Sequence, residues 1–275
     1  MVRNIITAVL VVIIAISAGY IIKNRYDYSR AKKVQNLVSQ AYDAEKGKQT
    51  PAPIITPSPK PVADVEETTP PAETEEKTPE DTPAPTVQPE FVTLMEQFSN
   101  NDIVGYLRIA DTTIDYPVLQ SSDNDYYINR NIYGQTIKSG SVFMDYENDI
   151  TKEDYNTVIY GHNMHEDVMF HDLRNFTDKK YWETHRYVTF NTLYEDMTWE
   201  IFTFYEIDFN DFFYYRVNFN NSEEFSALAS EMKAKSMYDT GVQISPGDRV
   251  LTLSTCTNEQ VDMRFVLGAK LVKNE

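Results

Sequence analysis

Two residues near the C-terminal end of the chain could perform nucleophilic chemistry together. Cys256, the only cysteine among 275 residues, ends one apolar run, and Arg264 lies near the start of the next. The polar segment 257–262 between them has the character of a hairpin loop, so the two runs are predicted to pair as antiparallel strands. This pairing would place the thiol and the guanidinium at the same rim of a sheet. Positive charge near a thiol favours the reactive thiolate.

Both residues also have ordinary structural interpretations. A free cysteine often serves as a small buried apolar residue. Arg264 could instead form a salt bridge with Glu259 or Asp262 in the acidic loop beside it. A single cysteine cannot form an intrachain disulfide, so Cys256 is either incidental or chemical.

A histidine could supply the acid or base that a cysteine nucleophile needs. Among the four histidines, His162 follows the strand-like run 157–160 and Gly161, which permits a tight turn. His162 is therefore predicted to lie at a strand end, as Cys256 does. A lone histidine is more often structural than catalytic, so both interpretations remain open on spacing alone.

A metal site and a nucleic-acid site are the competing hypotheses, and the sequence disfavours both. His162 and His165 lack the i, i+4 helical spacing of zinc proteases, and no third ligand is evident. The formal net charge of −17 makes the chain a poor partner for nucleic acid. We therefore predict no metal, no cofactor and no nucleic-acid partner.

The elements that must position these residues appear as short runs of β-branched and aromatic residues. Eight strands are predicted, at residues 104–109, 113–119, 140–144, 157–160, 187–190, 198–207, 250–256 and 263–272. Helices are predicted at 91–98, 169–176 and 222–235, the last with Asn221 and Glu224 as a capping pair. This order favours a β-barrel or a strongly curved sheet with inserted helices.

The N-terminal third of the chain has a different composition. Residues 5–22, from Ile5 to Ile22, carry no charge over a length that spans a bilayer, which favours an uncleaved anchor over a signal peptide. Five basic residues follow within 23–33. Taken by itself, this charge bias predicts a cytoplasmic location for the rest of the chain.

A proline-rich segment separates the predicted anchor from the predicted folded domain. Residues 47–89 hold 11 of the 13 prolines, and such a composition has too little apolar mass to offset the entropy of ordering. It is interpreted as a stalk that holds a domain away from a membrane, or as a tether with no length requirement. The predicted division is 1–28 for the anchor and its flanks, 29–89 for a juxtamembrane helix and the stalk, and 90–275 for the catalytic domain.

The strand-end segments resemble the signature of one enzyme family. Residues 252–256, Thr-Leu-Ser-Thr-Cys, with Arg264 eight positions on, are similar to the signature of sortases, the cysteine transpeptidases of Gram-positive bacteria. Residues 160–164, Tyr-Gly-His-Asn-Met, resemble the histidine segment of class B sortases, and further likeness lies in 113–118, 125–127 and 140–145. The resemblance extends over about residues 90–272, although the long proline-rich segment is not a regular class B feature.

The resemblance implies a fold, a site and a location. The implied fold is mainly β, a closed eight-stranded barrel with an N-terminal helix and a helix inserted before the cysteine strand. The implied catalytic residues are His162, Cys256 and Arg264. The implied location is the cell membrane, with a single-pass anchor and an extracytoplasmic catalytic domain, since large domains translocate largely regardless of flanking charge.

The implied activity is transpeptidation. Cys256 would cleave a sorting motif of a secreted protein through a thioester and pass the acyl group to an amine of a cell-wall precursor. His162, as imidazolium, would stabilise the thiolate and protonate the leaving amine, while Arg264 would hold the substrate and the oxyanion. By family analogy, the substrate groove is flanked by the insertion at residues 210–235.

Three alternatives remain open at this point. A water-using cysteine endopeptidase would need the same Cys256 and His162, although papain-like enzymes place the cysteine before the histidine. A pilin-polymerising sortase would use the same chemistry on another client. A non-catalytic adhesin would explain the anchor and the stalk, but not three strand-end residues that match one catalytic constellation.

Overall fold

Eight strands close into a single barrel in the computed structural model of the chain. The structure describes residues 2–48, 85–164, 168–208, 210–256 and 263–272, and of Cys256 it describes the main chain. The strands are β1 (Ile103–Arg108), β2 (Asp115–Leu119), β3 (Phe143–Met144), β4 (Asn156–His162), β5 (Tyr187–Thr192), β6 (Thr198–Asp208), β7 (Val250–Cys256) and β8 (Met263–Leu271). Their order around the barrel is β1-β2-β3-β4-β7-β8-β6-β5. The predicted mainly β fold, a closed eight-stranded barrel, is confirmed.

Strands β4 and β7 form the part of the barrel that carries the candidate site. They pair in parallel from Asn156 opposite Val250 to His162 opposite Cys256. Almost all of their described residues are buried, polar ones included, as is usual for parallel strands whose two faces are both covered. On β4, Ile159 packs into the barrel core, and Val158 packs into the cluster formed with the N-terminal helices.

The N-terminal helices pack together against the outside of the barrel. Helix α1 (Val2–Lys46) is continuous through both the predicted anchor and the predicted juxtamembrane helix. Helix α2 (Pro89–Phe98) buries Phe91 and Leu94 in the same cluster that contains Tyr42 of α1. The first half of α1 is apolar and exposed, whereas its second half contributes to the core of the molecule.

Specific contacts fix the second half of α1 to the barrel. The Tyr42 ring stacks on Tyr106 of β1, with ring centroids 3.8 Å apart. Ser39 donates a hydrogen bond of 2.7 Å to Asp115 of β2, and Lys46 forms a 2.7 Å ion pair with the fully buried Glu90. The predicted domain limits stay a prediction, but the packed unit includes α1 residues that lie before residue 90.

The predicted stalk falls mostly outside the described residues, in segment 49–84. Its two described ends lie close together. Lys46, at the end of α1, donates a hydrogen bond of 3.3 Å to the side chain of Gln88, which directly precedes α2. Gln88 also donates to the main chain of Leu193 beside β5, at 2.8 Å. The chain therefore leaves and re-enters the described structure at nearly the same place.

The remaining helices are short insertions between strands. Helix α3 (Lys179–Thr184) and a 3₁₀ turn at Tyr126–Asn129 were not predicted, because one or two helical turns give little periodicity. The predicted helix at 169–176 is instead a 3₁₀ helix, His171–Thr177. Helix α4 (Ser222–Ala234) is confirmed, and Asn221 caps it by accepting from the amide of Glu224 at 2.9 Å.

Candidate active site

His162 and Cys256 end two neighbouring strands at the same rim of the barrel. The parallel register of β4 and β7 makes them direct main-chain neighbours. Gly161 is required just before His162, because a Cβ at that position would lie 2.8 Å from the Phe170 ring. The amide of Phe170 donates to the carbonyl of His162 at 2.9 Å, which fixes the strand end. The strand ends that carry the histidine and the cysteine are therefore adjacent in the backbone.

The strand that leads to Cys256 is held by its neighbours. Thr252, Ser254 and Thr255 are buried. The Ser254 hydroxyl lies 3.0 Å from the Tyr214 hydroxyl, and Thr255 Oγ1 accepts from the amide of Phe265 on β8 at 2.9 Å. Strand β7 also pairs antiparallel with β8, as predicted, from Val250 to Ser254, so the main chain that leads to Cys256 is held from both sides.

The His162 ring is held by a main-chain carbonyl. Its Nε2 lies 2.7 Å from the carbonyl oxygen of Ile128, in the 3₁₀ turn Tyr126–Asn129. Burial lowers the pKa of His162 below the usual value, the hydrogen bond to Ile128 opposes that shift, and the charge of Lys138 adds to it. The neutral imidazole is therefore the favoured form at neutral pH.

Arg264 lies at the start of β8, where its main chain pairs with Ile207 of β6. Its guanidinium donates to the Tyr215 hydroxyl. The guanidinium carbon lies 5.4 Å from the centroid of the Tyr215 ring and 5.7 Å from that of Phe212, distances at which the rings attract the cation. Within the described part of the chain, the buried Nε of Arg264 has no hydrogen-bond partner.

A cavity of about 340 Å³ joins the histidine and the arginine. Its lining includes His162, Arg264, Tyr215, Tyr160, Asn124 and Ile128. The structure thus brings His162 and Arg264 to one cavity, with the main chain of Cys256 adjacent to His162. The predicted alternative partners of Arg264, Glu259 and Asp262, lie outside the described residues, as does His165, the partner considered for a metal pair.

Tyr215 was not predicted as a site residue. Its position is set from the start of β4, where the buried Asn156 donates to the main-chain oxygens of Tyr214 at 3.0 Å and Arg216 at 2.9 Å. The ring of Tyr215 also packs edge-on against Tyr160, with centroids 5.3 Å apart. It lies in the 210–235 insertion, which was predicted to flank the substrate groove, but nothing in the sequence distinguished it from the neighbouring aromatic residues.

Asn124 and Tyr160 form a polar wall of the cavity through a shared carboxylate. The buried Asp145 accepts a 2.7 Å hydrogen bond from the Tyr160 hydroxyl and a 2.9 Å bond from the Asn124 amide. All three residues lie in or beside segments that carry the family resemblance, but the resemblance implied no role for them. Their common partner became visible only in the fold.

Comparison with known proteins agrees with this geometry. The sortase domain family matches residues 107–272. The chain is 41% identical over 175 residues to sortase B of Listeria monocytogenes, covering 63% of this chain and 71% of that protein. It is 32% identical over 189 residues to sortase B of Staphylococcus aureus, covering 68% of this chain and 76% of that protein.

A solved structure extends the likeness to the whole fold. A crystal structure of sortase B complexed with triglycine superposes with a TM-score of 0.71 at 25% identity, covering 92% of this chain and all of that one. The family match spans more than half of the chain, and both sequence relatives are matched over more than two thirds of their length. The chain therefore belongs to the sortase family, and it is a cysteine transpeptidase of class B.

Proposed function

We propose that this transpeptidase cleaves a sorting motif in a secreted protein and transfers the acyl group to an amine of a cell-wall precursor. The observation that carries the proposal is the placement of His162 beside the Cys256 strand end, across one cavity from Arg264. A nucleophile, an acid–base group and a fixed cation around one cavity are the parts that acyl transfer needs.

The first half of the reaction forms a thioester. A free cysteine with a pKa of about 8.5 is only ~3% thiolate at pH 7, so a nearby base is needed. Burial lowers the pKa of His162, so the neutral ring accepts the thiol proton. The Cys256 thiolate then attacks the scissile carbonyl carbon. When the tetrahedral intermediate collapses, the carbon–nitrogen bond breaks and His162 returns the proton to the leaving amine.

The second half of the reaction makes the new peptide bond. The incoming amine attacks the thioester carbonyl, His162 accepts the proton that the amine loses, and the Cys256 sulfur leaves and takes that proton back from His162. Arg264 stabilises the oxyanion in both halves, because it stays protonated and lines the same cavity as His162. This order gives His162 the neutral form at the start, rather than the imidazolium that sequence reasoning suggested.

The acceptor is an amine at the end of a peptide. The relative solved in complex with triglycine supports an acceptor of this chemical class for the present chain. The sorting motif itself is not specified by the residues that line the cavity. A water-using endopeptidase and a pilin-polymerising sortase stay as alternatives, since both would use the same three residues.

Product analysis separates these alternatives. The full chain, in detergent, is incubated with a library of sorting-type peptides, with and without triglycine, and the products are identified by mass spectrometry. A ligated product that depends on triglycine is expected. Hydrolysed peptide in equal amounts with and without triglycine would favour the endopeptidase. Peptide cleavage that persists in Cys256→Ala would remove the proposed function.

We also propose that α1 anchors the barrel in the cell membrane, on its extracytoplasmic side. Among the described residues, α1 is the one helix long and apolar enough to cross a bilayer, and its apolar stretch makes no buried contacts. Tyr28, the first buried residue of α1, follows Ile22 by six residues. At 1.5 Å per residue this is about 9 Å of helix, so the barrel lies close to the membrane surface.

This arrangement changes the role proposed for the proline-rich segment. Because Lys46 and Gln88 are in contact, the segment between them starts and ends at the barrel and does not set the distance to the membrane. Protease added to protoplasts tests the location of the barrel. We expect digestion of the C-terminal part of the chain, and full protection would show that the basic residues after the span hold it in the cytoplasm.

A further inference from the structure

The hydrogen bond between His162 and Ile128 restricts the protonation of the imidazole ring. A main-chain carbonyl oxygen can only accept a hydrogen bond, so the ring nitrogen 2.7 Å from it, Nε2, carries a hydrogen. In the neutral ring the other nitrogen, Nδ1, then has the free lone pair. Burial lowers the pKa of His162, so this neutral form is the relevant one.

The Ile128 carbonyl is fixed by the main chain of the loop that contains it. The amide of Ser141 donates to the carbonyl of Tyr127 at 3.0 Å, and the amide of Ile137 donates to the carbonyl of Asn129 at 2.9 Å. These two bonds flank Ile128 on either side. The direction of its carbonyl therefore depends on loop backbone rather than on any side chain.

Gly140 packs directly against this carbonyl. Its φ of +58° lies in the left-handed region that favours glycine. A Cβ at this position would lie 2.6 Å from the carbonyl oxygen of Tyr127 and closer still to that of Ile128. Only a residue without a side chain leaves the Ile128 carbonyl in the position from which it accepts the bond from His162.

We propose that the main-chain carbonyl of Ile128, kept in place by Gly140, is the positioning group of His162 and assigns proton transfer to Nδ1. The proposal rests on the proposed catalytic role of His162. The carbonyl performs the task that a carboxylate performs in a Ser-His-Asp triad, which is to select one tautomer and one ring orientation. Unlike a carboxylate it carries no formal charge, and its hydrogen bond only partly opposes the lowering of the His162 pKa by burial.

The other polar groups around the ring do not offer this interaction. Asp125 lines the same cavity, but within the described part of the chain no carboxylate forms a hydrogen bond with His162. Lys138 lies on the same loop as Ile128, and its positive charge opposes protonation of the ring. Arg264 and Tyr215 also line the cavity, and they form a hydrogen bond with each other. The carbonyl is thus the group that decides which nitrogen carries the hydrogen.

The tautomer can be measured without any change to the loop. The full chain, labelled with ¹⁵N-histidine and held in detergent micelles above the pKa of His162, gives separate NMR signals for protonated and bare ring nitrogens, and His162→Gln assigns them. We expect His162 in the form with hydrogen on Nε2. A His162 ring with hydrogen on Nδ1 would overturn the proposal.

Two alanine variants of one loop test the role of the carbonyl. Gly140→Ala places a Cβ against the Ile128 oxygen, whereas Gly134→Ala introduces alanine at a similar positive φ, +69°, where the nearest atom is the Tyr126 hydroxyl at 3.5 Å. Both variants strain the backbone, but only the first displaces the carbonyl. We expect Gly140→Ala to disturb the His162 tautomer and to slow alkylation of Cys256 by iodoacetamide at pH 7 by on the order of tenfold relative to Gly134→Ala.

The outcomes separate this inference from the proposed function. Equal tautomers and equal alkylation rates in two folded variants would overturn the role of the carbonyl, even where Cys256→Ala abolishes peptide cleavage. Peptide cleavage that survives in Cys256→Ala would instead remove the proposed function. If Gly140→Ala does not fold, as judged by thermal melting, the wild-type tautomer decides the question alone.

Discussion

The two walls of the active-site cavity hold their functional side chains by different means. The histidine wall consists of His162, the Cys256 strand end and Ile128, and main-chain atoms hold it. The pairing of β4 with β7 places His162 beside Cys256, and the Ile128 carbonyl accepts a hydrogen bond from the imidazole ring. The arginine wall consists of Arg264, Tyr215 and Phe212, and side chains hold it. The Tyr215 hydroxyl and the rings of Tyr215 and Phe212 contact the guanidinium of Arg264.

The difference follows from what each residue has to do. A ring that exchanges a proton with a neighbouring thiol needs a fixed tautomer, and strand ends with one carbonyl provide it. A guanidinium that stabilises an oxyanion needs a fixed plane, and a hydroxyl with flanking rings provides that. The histidine wall should therefore be insensitive to most side-chain substitutions, whereas the arginine wall should respond to single ones.

Removing the reacting groups should have the largest effect and sets the scale for the comparison. Cys256→Ala should abolish thioester formation, because the chain has no other thiol. His162→Ala should leave some, slower alkylation of Cys256 but should lose turnover, because the leaving amine has lost its proton donor. Mass spectrometry of the acyl-enzyme and peptide-cleavage rates measure both effects.

His185→Ala is the matched control for the histidine. His185 stacks on Tyr181, with centroids 3.9 Å apart, and does not line the cavity. It should keep near wild-type turnover. A Cys256→Ala enzyme that still forms product would contradict the assignment of the nucleophile.

The histidine wall was predictable from the sequence only where its parts are local. The apolar runs identified all eight strands, and their ends located His162 and Cys256 at rims. The parallel pairing of β4 with β7 was not predicted, since it joins segments about ninety residues apart. The hydrogen-bond partner of His162, the Ile128 carbonyl, was also missed. Every residue has a main-chain carbonyl, so the residue type does not indicate which one accepts the bond.

The arginine wall was less predictable because it depends on tertiary contacts. Arg264 was identified by its distance from Cys256, but Tyr215 is one of several aromatic residues in its segment and is placed by the buried Asn156, far away in the chain. The docking of α1 was missed for a similar reason. Its buried residues form a sparse stripe that matches an isolated helix equally well, and they are Tyr28, Ala31, Val38 and Tyr42.

Changing the guanidinium to an amine tests the arginine wall directly. Arg264→Lys keeps the charge but loses the planar group that the Tyr215 hydroxyl and the two rings hold. We expect a loss of about 2–4 kcal/mol in transition-state stabilisation, the range for one preorganised oxyanion donor. This corresponds to roughly a hundredfold or more in kcat/KM.

Arg216→Lys provides the control for that substitution. Arg216 belongs to the insertion that contains Tyr215 and forms an ion pair with Glu224, but its side chain is 47% exposed and does not line the cavity. It should change kcat/KM little. Near wild-type activity in Arg264→Lys would show that the arginine acts through its charge alone.

The smallest expected effect comes from the group that orients the guanidinium. Tyr215→Phe removes the hydroxyl that accepts from Arg264 and keeps the ring beneath it. The loss of one hydrogen bond, about 0.5–1.5 kcal/mol, should lower kcat/KM by about 2- to 10-fold.

Tyr238→Phe is the control. The Tyr238 hydroxyl donates a 2.9 Å hydrogen bond to the carbonyl of Phe176, and Tyr238 does not line the cavity. If the hydroxyl acts by orienting Arg264, Tyr215→Phe should have almost no further effect in the Arg264→Lys background, since the two changes remove one interaction. Equal activity of Tyr215→Phe and Tyr238→Phe would mean that the rings alone hold the arginine wall.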